Sequence, residues 1–154
     1  MKGKTIVGIL LVFITGLPLA QVSAENEQLV LIGHEGVADA LEKDDIRQIF
    51  MGKKTRWADG TKIMFVVFAD KEAYVNFLKA YVGKTYSQYR NYWKKQVFTG
   101  KGRMPQSFEN SDQLIRFVSG TAGAISFISA DSIVAESSLK VLSIINRGKG
   151  GENL

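Results

Sequence analysis

Asp44-Asp45-Ile46-Arg47-Gln48-Ile49-Phe50-Met51-Gly52-Lys53-Lys54-Thr55-Arg56-Trp57 is the stretch whose reading decides the fold. Ile46, Ile49 and Phe50 recur at helical spacing, which puts all three on one face of a short helix. Asp44 or Asp45 suits the positive N-terminal end of that helix. Gly52 stands where the helix should stop, because glycine takes the left-handed backbone of a helix terminus without steric cost. A basic turn through Lys53, Lys54 and Arg56 then leads to Trp57, which is expected to be buried.

Working outward, strands and helices alternate. Before the helix, Gln28 to Ile32 is an apolar run ending at Gly33, a buried strand, and Val37 to Leu41 reads as a short helix or turn. After it, Ala58-Asp59-Gly60-Thr61 has turn chemistry and leads into Ile63-Met64-Phe65-Val66-Val67-Phe68, the strongest strand signal in the chain. Asp70 should cap a helix that buries Ala73, Phe77, Leu78 and Tyr81 and ends at Gly83. Ser87 to Val97 reads as a helix packing through Tyr89, Trp93 and Val97, and Phe98 to Pro105 as a glycine-rich basic loop. Asp112 to Val118 is a helix with Leu114, Ile115 and Val118 inward. Thr121-Ala122-Gly123 turns into the strand Ala124 to Ile128, Leu139 to Ile144 is the last strand, and residues 146–154 form a glycine-rich tail. Buried strands separated by helices predict a three-layer α/β sandwich.

The N-terminus has the three parts of a secretory signal. Lys2 and Lys4 begin it, Thr5 to Gly16 is apolar, and Val22-Ser23-Ala24 places small residues for cleavage after Ala24. The apolar run is shorter than the roughly 20 residues of a membrane span. The expected organisation is a signal over residues 1–24, one α/β domain over 25–145 and the tail, in a periplasmic or secreted protein. The formal charge of the whole chain is +5, with 20 Lys and Arg against 15 Asp and Glu. Lys2 and Lys4 leave with the signal, which weakens the case for nucleic acid, and export weakens it further. With 0 Cys, disulfides and thiol chemistry are excluded and stability must come from the packed core.

Three segments together carry a family resemblance. Ile46-x-x-Ile49-Phe50-x-Gly52-Lys53-x-x-x-Trp57 is followed by Trp93-x-x-x-x-Phe98-Thr99-Gly100-Lys101-Gly102 with Pro105. Val118-x-x-Thr121-x-Gly123-Ala124-Ile125-x-Phe127-Ile128 comes third. In this order and spacing they resemble phosphate-type substrate-binding proteins of ABC transporters, along nearly all of Gln28 to Ile144. The resemblance implies one lobe of a type II periplasmic binding protein, since a full member has two lobes around a hinge. It implies a non-enzymatic protein with no cofactor, a small phosphate-like anion as solute, and a membrane permease or sensor as partner. A second copy of the chain is a candidate for completing a cleft.

One departure bears on the ligand. After the strand matching Ile63 to Phe68, phosphate-binding members carry an Arg and then a Ser-Gly-Thr run that opens the next helix. Backbone N–H groups, hydroxyls and the helix N-terminus hold the oxyanion there. This chain has Phe68-Ala69-Asp70-Lys71-Glu72-Ala73-Tyr74 instead, without the Arg or the hydroxyls and with two carboxylates.

The remaining candidates are weighed by their chemistry. Lys53, Lys54 and Arg56 read better as a solvated turn than as an anion site. Gly100-Lys101-Gly102-Arg103 lacks the G-x-x-x-x-G-K-[ST] spacing of a phosphate loop. Tyr86, Tyr89 and Tyr92 among Lys84, Arg90, Lys94 and Lys95 read as a half-buried helix face, not a stacking platform for bases. The single His34 cannot build a metal site with no Cys and no His partner. The residues expected at strand ends or turns, and hence the candidate ligand-binding set, are His34, Asp70, Lys71, Thr121 and Ser126. Two function classes follow: an exported solute-binding module, or a lobe that keeps the fold and serves as an interaction or sensory accessory to a membrane protein.

Overall fold

A computed structural model describes residues 28–37, 40–133 and 139–145. The signal segment, its cleavage point after Ala24 and the tail at 146–154 lie outside the described residues. Among the described residues seven strands and four α-helices follow in order. They are β1 (Leu29–His34), β2 (Ala40–Glu42), α1 (Lys43–Phe50), β3 (Met64–Phe65), β4 (Val67–Phe68), α2 (Lys71–Phe77), α3 (Tyr86–Phe98), β5 (Ser107–Phe108), α4 (Ser111–Gly120), β6 (Ala124–Ser129) and β7 (Leu139–Ile145). The main sheet has the order β2-β7-β1-β6-β3, and β4 and β5 form a separate pair. β1 runs antiparallel to β6 and β7, whereas β3 is parallel to β6 and β2 to β7.

Every residue of β6 is buried, as are the consecutive Leu31 and Ile32 of β1, so the sheet is covered on both faces. On one face Phe127 stacks on Phe77 of α2, with ring centroids 3.9 Å apart and planes 7° apart. Phe50 of α1 meets Phe77 edge-on at 4.6 Å. Burying each such ring contributes roughly 2–3 kcal/mol relative to leaving it in water. The other face is left to α4, which packs on β1, β6 and β7 and buries Leu114, Ile115 and Val118. The result is the expected three-layer α/β arrangement.

The end of α1 organises the first of these faces. A helix terminus leaves its last carbonyls without helical partners. Here Arg47 and Ile49 accept from the N–H groups of Met51 and Gly52, and Gln48 accepts from Lys53. The Tyr89 and Tyr92 hydroxyls of α3 donate to the Phe50 and Met51 carbonyls, at 2.7 and 2.8 Å. Gly52 has φ +68°, and a Cβ there would come within 2.7 Å of the Trp93 ring. Trp57 is buried, and its indole N–H donates to the Gly123 carbonyl at 3.0 Å. The three sequence segments that carry the resemblance therefore meet in space.

α2 begins as the sequence predicts: the Asp70 carboxylate accepts from the Ala73 N–H at 2.9 Å. Its last turn widens into a π-turn over Leu78–Val82, closed by Gly83 at φ 70°. Thr85 and Gln88 cap α3 reciprocally, each side chain accepting from the other's backbone N–H.

Four readings are corrected. Where a helix or turn was expected over Val37 to Leu41, a turn at His34–Val37 is followed by strand β2, which pairs with β7 from Ala40 opposite Ser143. The run Ile63 to Phe68 is not one ladder but is handed between two partners. Met64 and Val66 donate to β6, at Gly123 and Ile125, while Val67 and Ala69 donate to Gln106 and Phe108. At the hand-over the Ser126 hydroxyl donates to the Val66 carbonyl at 2.9 Å, replacing a ladder bond. The loop after Phe98 leads into β5, which sequence reading missed because two residues carry no periodic signal. Val97 is half exposed, on the flank of α3 and not in its packed stripe. Among the described residues no helix is long and apolar enough to cross a membrane.

Gly123 is the position least able to accept a side chain, with φ +73° and the Lys62 carbonyl oxygen inside the reach of an added Cβ. Gly123→Ala is expected to cost about 3 kcal/mol, combining left-handed strain with displacement of the Trp57 bond. Urea unfolding would show this as a lowered midpoint at unchanged slope. A midpoint within error of wild type would contradict it.

Candidate functional site

The predicted residues fall at two ends of the sheet. β1 runs against β3 and β6, so His34 lies opposite Ala124 at the end where the Thr121–Gly123 turn enters β6. His34 Nδ1 accepts from the Gly36 N–H at 3.1 Å, and the Thr121 carbonyl accepts from Ala124 at 3.0 Å. Asp70 and Lys71 lie beyond the C-terminal end of β4, at the opposite end. Ser126 is fully buried between them, with its hydroxyl committed to Val66. The structure thus joins Asp70 with Lys71, and His34 with Thr121, but not the two pairs.

A cavity of about 500 Å³ opens beside Lys71. Its floor is Val67 of β4, Ala69 just after that strand, and Ser107 of β5. One wall is Lys71, Tyr74 and Val75 of α2; the other is Tyr86, Tyr89, Arg90 and Trp93 of α3, and Met104 and Pro105 close the end. The α3 residues reach it because Tyr86, Tyr89, Arg90 and Trp93 recur at i, i+3, i+4 and i+7, one face of the helix. Tyr74 meets Tyr86 edge-on at 5.5 Å and Tyr89 at 6.2 Å, forming an aromatic corner.

Burial, and then the neighbouring Tyr86, push the Tyr74 hydroxyl above the ordinary phenol range. Burial raises Tyr89 likewise, with Tyr74 adding to it and the Trp93 indole N–H drawing it partly back. Both phenols are neutral donors at any physiological pH. The Trp93 indole N–H is buried and completes no hydrogen bond in the protein, although it lies near the Tyr89 hydroxyl.

Lys71 and Arg90 are the cations on the lining, and Asp70 and Glu72 flank Lys71 in the chain. Between Ala73 and Phe108 the chain carries Lys79, Lys84, Arg90, Lys94, Lys95, Lys101 and Arg103 and no Asp or Glu. Lys71 and Arg90 are exposed, and among the described residues neither has an ion-pair partner. A second depression, of about 470 Å³, lies between α1 and residues 79–83. Its lining carries Lys43, Arg47 and Lys79 with Asp44.

The helix N-terminus beside the cavity is occupied by the protein itself. The Asp70 carboxylate holds the Ala73 N–H, the Asp70 carbonyl takes the Tyr74 N–H, and the Ala69 N–H donates to Phe108. Of Phe68 and Ala69, the two positions at which the resemblance implies an Arg, Phe68 is buried and Ala69 half-buried. Of the backbone donors at this terminus, those of Ala69, Ala73 and Tyr74 are already used.

The other basic segments are structural. Lys54 donates to Asp45 at 2.7 Å, and Arg56 donates to the Gly60 carbonyl at 2.8 Å, so both brace the turn after α1. A Cβ on Gly102 would press on the Trp93 ring at 3.1 Å, which places that loop against α3. Tyr74, Arg90, Trp93 and Met104 were not singled out as site residues from sequence. The signal for Arg90 and Trp93 was the α3 stripe within an acid-free stretch; Tyr74 and Met104 lie on other segments and carried none.

No protein-family model matches the chain, and no curated protein matches it. Solved structures do. PstS from Borrelia burgdorferi superposes with a TM-score of 0.57 at 18% identity, covering 75% of this chain and 46% of that one. A Clostridium perfringens protein, described as a phosphate ABC transporter substrate-binding protein and carrying bound phosphate, gives 0.58 at 20% identity, over 75% and 44%. An ABC-type phosphate transport receptor from Vibrio cholerae gives 0.50 at 17%, over 75% and 45%. The chain therefore has the fold of one lobe of these proteins and spans less than half of their length.

The Lys54–Asp45 pair makes a pH prediction. The Lys54 hydrogen bond, partly opposed by burial, holds the Asp45 carboxyl below its ordinary range. A depressed carboxylate stabilises the fold above its unfolded pKa of about 3.9, and the contribution is lost as pH falls through the folded value. Both side chains are about a third exposed, at 35% and 34%, so the effect is small and salt-screened. Lys54→Met should leave the acid limb of the stability curve shallower than wild type below about pH 4. Urea midpoints at pH 7 and pH 3 would measure it, and equal acid losses in both proteins would contradict the pairing.

Proposed function

We propose that the protein is an exported, non-enzymatic solute-binding module, holding a small anionic solute in the cavity between α2 and α3 and presenting it to a membrane permease or sensor. One observation carries the reading: a cavity with two unpaired cations, Lys71 and Arg90, opens at the start of α2. On the phosphate-type lobe that resemblance and fold point to, this is where the oxyanion residues belong. The way of holding the anion differs. With the α2 terminus capped by Asp70, the anion is held by side chains at the mouth, whose exposed ion pairs are worth about 1 kcal/mol or less each. A site of this kind binds loosely and lets its solute go quickly.

A cleft completed by a second copy or by the membrane partner is part of this proposal. A second reading, an interaction lobe without a solute, draws on a different observation. Val75, Tyr86, Val97 and Met104 are about half exposed and Phe98 is 93% exposed, more apolar surface than a bare solute site needs.

Calorimetric titration at low salt with inorganic phosphate, sulfate and phenyl phosphate separates the two readings. Saturable heat is expected with at least one anion, at an affinity of about 1 mM or tighter, and it should vanish in Lys71→Gln/Arg90→Gln. A folded protein silent toward all three would end the solute-binding reading in favour of the interaction lobe.

A further inference from the structure

Resting on that reading, we infer that the cavity selects an organic anion with a flat apolar body, aromatic by preference, and not a bare oxyanion. The charged end sits at Lys71 and Arg90 and the body lies between Tyr74, Tyr86 and Trp93.

Three observations converge on this class. The first is the lining. Beyond the two cations, the walls are rings and aliphatic groups: Tyr74, Tyr86, Tyr89 and Trp93 with Val67, Val75, Met104 and Pro105. A phosphate ion leaving water for such walls loses hydration that nothing replaces. The backbone N–H groups of Val67, Ala69, Ala73 and Tyr74 are all bonded within the protein. An organic anion avoids that penalty: its body buries apolar surface while its charge stays at the wet mouth, beside Lys71 and Arg90.

The second is size. About 500 Å³ is far more than a single oxyanion fills and falls in the range typical of organic ligand pockets. Met104 and Tyr86 stand half exposed at the rim, where a bound body would cover them.

The third is the aromatic corner: Tyr74 meets Tyr86 edge-on at 5.5 Å and Tyr89 at 6.2 Å, offering ring faces and edges to a planar body. Lys71 and Arg90 on the lining supply the cations for its charged end, although Asp70 and Glu72 flank Lys71 in the chain.

The test titrates the full chain with phenyl phosphate, inorganic phosphate and benzyl alcohol by calorimetry, and follows the indole N–H cross-peaks of Trp57 and Trp93 by NMR. Phenyl phosphate should bind at least about tenfold more tightly than either phosphate or benzyl alcohol. It should move the Trp93 cross-peak and leave that of Trp57, which is bonded to Gly123, in place. Tyr86→Ser, at an exposed position, should weaken phenyl phosphate at least about threefold and leave phosphate unchanged.

Equal affinities for phosphate and phenyl phosphate, both abolished by Lys71→Gln/Arg90→Gln, would overturn this inference and leave the solute-binding reading standing. Benzyl alcohol binding as tightly as phenyl phosphate would overturn the anionic requirement. Phenyl phosphate binding that ignores Tyr86→Ser and leaves Trp93 unmoved would place the ligand elsewhere and overturn the site. Silence toward every probe from a folded protein would remove both readings.

Discussion

The carbonyl groups that end α1 are the constraint on which the rest of the structure depends. Five consecutive carbonyls, from Arg47 to Met51, have to find partners at the edge of a dry core. Backbone turns satisfy three, and the last two take the hydroxyls of Tyr89 and Tyr92. Those two bonds fix the roll of α3 about its own axis. Once the roll is fixed, Trp93 lies on Gly52, and Tyr86 and Arg90 face the gap above β4. The cavity is thus a consequence of how one helix terminus is closed. Removing either hydroxyl would leave a buried acceptor unpaired and free α3 to turn, which couples the stability of the terminus to the shape of the cavity.

The same junction explains why the three resembling segments persist together. Trp57 bonds to Gly123, and Trp93 packs over both Gly52 and Gly102. These contacts are scaffold contacts. They hold whatever ligand the lobe serves, which is how the fold can match phosphate-type neighbours while the start of α2 differs. Where a phosphate site needs an open helix terminus, this chain has Asp70 closing it. The Asp70 carboxylate takes the Ala73 N–H and puts a negative charge at the terminus, which opposes an anion seated there.

Much of this was legible in the sequence, and the limits follow from range. The face of α1, the Asp70 cap, the glycine stop at Gly83 and the buried Trp57 are local signals, read within a turn or two of chain. The hand-over at Val66 was not legible, because it depends on Ser126, sixty residues away, supplying the hydrogen bond that the ladder drops. β2 and β5 are too short to show a period. For the site, Lys71 was reached by expecting ligands at strand ends. The same expectation sent His34 and Thr121 to the other end, since strand direction leaves no trace in an apolar run and β1 runs against β3. Tyr74, Arg90 and Trp93 come from different elements and meet only when α2 and α3 are packed.

The central proposal is that side chains of α2 and α3, and not the α2 terminus, hold an anion. A crystal structure of the protein grown with phenyl phosphate tests it most directly. The account predicts the phosphoryl group beside Lys71 and Arg90, the ring against Tyr74 and Trp93, and the Asp70–Ala73 bond intact. A phosphoryl group seated on the backbone N–H groups at the start of α2, with Asp70 displaced, would contradict it.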